Sequence, residues 1–97
     1  MTQIKPPKEY WIEILRPDGQ NEDRVLTARP TGLQLYYDLI GTDIVESVRC
    51  THPARRGLFM IVDEEGLRKE LPFNKLAAMY TGRPIVGVAI ILHGFPL

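Results

Sequence analysis

Cysteine is nearly absent from this 97-residue chain, which has one, so no disulfide can form within it. Charge of either sign is not in surplus: 12 Lys and Arg stand against 12 Asp and Glu. That balance excludes a protein that holds nucleic acid through bulk electrostatics. Long hydrophobic runs are also missing. The longest, residues 85–92, has eight positions and includes Gly87, whereas a membrane-spanning helix needs roughly twenty. Residues 1–8 lack the apolar core of a secretory signal, and Pro6 and Pro7 would break a helical targeting segment. A cytoplasmic chain is the expectation. No internal repeat, low-complexity tract or glycine-rich phosphate loop is present.

The apolar share is 44%, ordinary for a folded core and too high for a disordered chain. The expectation is a flexible arm at residues 1–8 followed by one domain over 9–97. Residues 9–15 alternate as a strand, with Tyr10, Ile12 and Ile14 on one face and Trp11, Glu13 and Leu15 on the other. Arg16-Pro17-Asp18-Gly19 supplies a turn, and residues 24–28 return as a second strand. Residues 33–40 place Leu35 or Tyr36 with Leu39 and Ile40 at helical spacing, with Thr31 available as cap and Gly41 as the left-handed stop.

Residues 43–51 read as a strand and 51–57 as a loop. Leu58-Phe59-Met60-Ile61-Val62 is apolar throughout, as expected of a strand covered on both faces. Asp63-Glu64-Glu65-Gly66 reads as a tight turn into a partner strand at 67–71, with Gly66 in a positive-φ position. Asn74 caps a helix over 75–80, with Leu76, Met79 and Tyr80 as its apolar face and Gly82 as its end. Residues 85–92 form the last strand. The predicted class is α+β, order ββαβββαβ: two short helices on one face of a small, mostly antiparallel sheet.

Leu39-Ile40-Gly41 followed by Ile44-Val45-Glu46, and then the run from Phe59 to Gly66, resembles the family known as domain of unknown function 3846. Leu71-Pro72-Phe73-Asn74 resembles its Leu-Pro-x-Asn motif, and Ile85-Val86-Gly87-Val88 its closing strand with an internal glycine. The likeness spans residues 25–93. It departs at Thr42, where the family often has a second glycine, and in the 51–57 loop. The resemblance implies a bacterial, plasmid or phage protein accessory to mobile elements. It brings no established activity.

Chemistry-bearing residues are few. Cys50 and His52 would share a face in a regular strand, and a thiolate beside an imidazole is a nucleophile pattern; a lone cysteine in most folds serves packing. Cys50, His52 and His93 are the whole Cys/His complement, short of a four-ligand zinc shell, and no cofactor is implied. Asp63-Glu64-Glu65 could offer oxygen to a hard cation, but a solvated turn accounts for it. Tyr10-Trp11 and Tyr36-Tyr37 should each split between core and surface. The distinctive polar segment is 49–57. No acid stands between Glu46 and Asp63, while Arg49, Arg55 and Arg56 all fall there.

Three function classes follow. The first is a small non-enzymatic binding or regulatory module acting on a protein partner through Arg49, His52, Arg55 and Arg56. The second is an anion or nucleotide binder that grips a phosphate-bearing ligand with the same residues. The third is a hydrolase built on Cys50 and His52. A homodimer is also expected, since a sheet this small leaves edges that need cover.

Overall fold

The computed structural model describes residues 10–28 and 30–94; the arm expected at 1–8 lies outside them. In chain order the elements are β1 (Tyr10–Leu15), β2 (Glu22–Leu26), α1 (Gln34–Ile40), β3 (Val45–Arg49), a 3-10 turn at Pro53–Arg55, β4 (Phe59–Asp63), α2 (Lys75–Thr81) and β5 (Ala89–His93). The strands form one sheet in the order β2-β1-β5-β4-β3, antiparallel at every junction. The fold is α+β.

Strand alternation sends two sets of side chains to opposite faces. Ile12, Ile14, Ile61 and Ile90 pack with Tyr36 and Ile40 of α1. Leu15, Val48, Met60, Val62, Ala89 and Ile91 pack with Ala77 and Tyr80 of α2. The helices therefore cover opposite faces, not one face as the element order suggested. The reason lies in β4 and β5. Both are apolar at consecutive positions, and each face so produced needs its own cover. The prediction for β4, a strand buried on both sides, holds: Met60 and Val62 enter one cluster and Ile61 the other.

Three local expectations are corrected. First, residues 67–71 form no strand. The chain after Asp63 coils through successive turns: Lys69 N–H donates to the Glu65 carbonyl and Leu71 N–H to the Gly66 carbonyl. Asp63 nucleates this coil, accepting the Glu65 N–H and the Lys69 ammonium, each at 2.8 Å. Gly66 is not at positive φ either. A Cβ there would sit 2.8 Å from Val86 Cγ2, so close approach is what requires glycine.

Second, α1 begins later than expected, with Leu33 at its N-cap and no side-chain cap from Thr31. Gly41 does close it, in the left-handed conformation. Third, the predicted strand 85–92 is divided. Val86 bridges to Phe73, and the Gly87 N–H donates to the Pro72 carbonyl. Gly87 then turns at φ 75° before residues 89–93 join the sheet.

Asn74 organises this junction. Its Oδ1 caps α2 by accepting the Ala77 N–H, the expected role. Its amide nitrogen also donates to the carbonyls of Leu15 and Gly87, at 2.9 and 2.8 Å, in a fully buried setting. One side chain thereby ties the end of β1, the kink before β5 and the start of α2.

Candidate functional site

Beyond Arg49 the β3–β4 hairpin continues past its ladder. Cys50 N–H donates to the Leu58 carbonyl, and Gly57 N–H to that of Cys50. The tip is the 3-10 turn, which Pro53 starts and His52 caps. His52 Nδ1 accepts the Ala54 N–H at 3.1 Å, so the neutral ring carries its proton on Nε2. Thr51 and His52 both donate their N–H groups to the Tyr80 carbonyl, which fastens the tip to the end of α2.

Arg55 supplies the second fastening. Its Nε and Nη2 meet Glu13 Oε1 and Oε2 at 2.6 and 2.8 Å, a two-point fork. Its third donor, Nη1, reaches the Ala54 carbonyl at 2.8 Å, and its guanidinium lies 4.8 Å from the centre of the Tyr80 ring. The Glu13 side chain is 9% exposed and that of Arg55 26%. Burial pushes the Glu13 carboxyl upward; hydrogen bonds from Arg55 and His93 more than offset it, and its pKa lies below the ordinary value. A carboxylate only accepts, so His93 Nε2 donates to Glu13 Oε1. The His93 ring in turn stacks on Trp11, centroids 3.7 Å apart and planes 12° from parallel.

The four residues of the sequence-derived site therefore divide. Arg55 and His52 turn inward and meet at Tyr80, where the His52 ring approaches edge-on at 5.8 Å. Arg49 and Arg56 stay exposed. Arg49 lies 5.2 Å from the Phe59 ring centre, and neither has a carboxylate partner among the described residues. Cys50 is 1% exposed, and burial raises its thiol pKa. The Nδ1 acceptor of His52, the nearby base the hydrolase reading needs, is already taken by the Ala54 N–H. Among the described residues no three Cys, His, Asp or Glu side chains gather as a metal site, and no helix is long and apolar enough to cross a membrane.

Sequence reasoning missed Glu13, Trp11, Tyr80 and His93 as parts of this assembly. One signal was available. Glu13 sits on the strand face shared by Trp11 and Leu15, where an acid requires a partner. The sequence does not say that the partner lies 42 positions away.

Residues 11–95 match a family described as a domain of unknown function, DUF3846. The chain belongs to that family. No curated protein and no solved structure matches it. The DUF3846 match takes in β1 from Trp11 onward, the other four strands and both helices, and thus both anchors of the hairpin tip, Glu13 and Tyr80. The Leu-Pro-x-Asn segment of this DUF3846 chain is the place where Asn74 joins β1, β5 and α2.

Proposed function

We propose that this DUF3846 protein is a small non-enzymatic binding or regulatory module, cytoplasmic and accessory to a mobile element, that acts on a protein partner through its 49–57 hairpin tip. The observation that carries this reading is the division of the arginines. Arg55 is held by the Glu13 carboxylate, while Arg56 in the loop and Arg49 at the end of β3 are exposed without an acid to neutralise them among the described residues. A loop already fastened at Tyr80 and Glu13 loses little freedom when it binds, so more of the contact energy appears as affinity. Arginine is also enriched at protein interfaces, where its planar fork engages carboxylates. The partner surface is accordingly acidic.

The test is recovery of a partner from lysate of the native host by the tagged chain. Arg49→Glu with Arg56→Glu should abolish recovery of the protein that wild type retains, and the paired Lys substitutions should keep part of it. Equal recovery by the Glu variant removes the tip from the reading. The anion-binding reading uses the same arginines and is separated by a thermal-shift screen over nucleotides. A ligand of the folded state raises the melting temperature by mass action, and such a rise, lost in the Glu variant, would favour the phosphate-bearing ligand.

A further inference from the structure

We infer that the end of the sheet around Pro17 is a self-association surface, occupied by a second copy of this chain across a two-fold axis. The turn Arg16-Pro17-Asp18 stands between two open grooves of about 530 and 430 Å³. Leu76, Met79 and Lys75 line the first; Pro72, Phe73 and Val88 line the second. Phe73 is 56% exposed and Met79 49%. Met79 has helical spacing for the core, yet α2 buries Ala77, Tyr80 and Thr81 instead. Exposed aromatic and methionine side chains beside a groove are the composition of an interface centre.

Charge selects the occupant. Lys75 and Asp18 line the same groove, both exposed. Neither has an ion-pair partner among the described residues, and they do not pair with each other. The Arg16 guanidinium is turned away to Glu22, a carboxylate it shares with Arg24, and so is not the free cation of this groove. An interface between identical copies requires a patch complementary to itself, with residue i meeting j and j meeting i. One cation and one anion outside any ion pair, the anion bonded only to the Gln20 N–H among the described residues, flank an apolar floor and satisfy that condition. Lys75 faces the partner's Asp18, and Asp18 faces the partner's Lys75.

The patch lies where β1 ends and β5 begins, at the Leu15–Ala89 register pair. The basic tip lies toward the other end, where Arg55 reaches Glu13 and His93 is paired with Trp11. Association through Pro17 therefore leaves both tips free, and the pair displays two.

Sedimentation equilibrium of the full chain over a concentration series tests this, with circular dichroism verifying that each variant is folded. Wild type should fit a monomer–dimer equilibrium. Met79→Glu should sediment as monomer. Lys75→Glu turns both symmetric attractions into repulsions and should weaken the dimer about tenfold. Adding Asp18→Lys to it should restore the wild-type constant. Wild type that stays monomeric throughout overturns the inference. So does a dimer indifferent to Met79→Glu and Lys75→Glu but lost with Val25→Lys on the edge strand β2, and so does a doubly reversed variant as weak as Lys75→Glu alone.

Discussion

Replacing Glu13 by Gln tests the arrangement on which the hairpin tip depends. Three donors converge on the two Glu13 oxygens: Arg55 Nε, Arg55 Nη2 and His93 Nε2. Glutamine offers one oxygen, and its amide nitrogen would then meet a donor. It also removes the charge that balances Arg55. Breaking a buried ion pair costs about 3–5 kcal/mol. Arg55 keeps 26% of its side chain exposed, so water recovers part of that, and about 2–3 kcal/mol is expected. For a domain of this size each kcal/mol moves the melting temperature by about 4–8 °C, so a fall of about 10–20 °C follows.

Arg55→Met should cost at least as much, because it leaves the nearly buried Glu13 carboxylate with His93 alone. The double variant should then cost less than the sum of the two by about 2 kcal/mol or more, the signature of residues acting as a unit. The assay is urea unfolding of all four proteins, repeated across pH. Glu13 has a folded-state pKa below its unfolded value. Its contribution is complete above the ordinary carboxylate value and is lost as pH falls through the folded one. The gap between wild type and Glu13→Gln should be full at neutral pH and close on acidification. Additive single effects, or a gap that does not change with pH, would refute the reasoning.

Three further outcomes follow from named contacts. Asn74→Ala removes the α2 cap and two buried hydrogen bonds to Leu15 and Gly87, and should cost about 3 kcal/mol in denaturant unfolding. Asn74→Asp keeps the cap but loses both donors, so it should rescue only the smaller part. Gly66→Ala places a Cβ 2.8 Å from Val86 Cγ2 and should destabilise by about 1–3 kcal/mol; Val86→Ala in the same chain should recover most of that in thermal melts. Cys50 should resist iodoacetamide in the folded protein at neutral pH and label at once in denaturant, since burial both shields the thiol and raises its pKa.

Elements whose pattern is local were legible in the sequence. The apolar run of β4, the glycine stop after each helix and the Asn74 cap all depend on neighbours within a few residues, and each stands in the structure. The errors arise where the decisive contact is distant. Residues 67–71 follow a turn-like segment and read as the return strand of a hairpin, but the Asp63–Lys69 pair and the close approach of Gly66 to Val86 hold them in turns. Both helices have an apolar stripe, and nothing in a stripe states which sheet face it meets.

The candidate site divides on the same principle. An acid-free stretch is visible in composition, so the 49–57 segment could be named in advance. Its three arginines look alike there, and the fold makes them different. Glu13 is the residue that sorts them, from a strand far away in the chain, by holding Arg55 in a fork that an exposed acid could not maintain against water. Removal of Arg55 should therefore unfasten the loop, whereas removal of Arg49 or Arg56 should change what the loop meets. Stability and binding should separate along that line. Arg55→Met should lower the melting temperature, and the Arg49 and Arg56 substitutions should leave it within a few degrees of wild type.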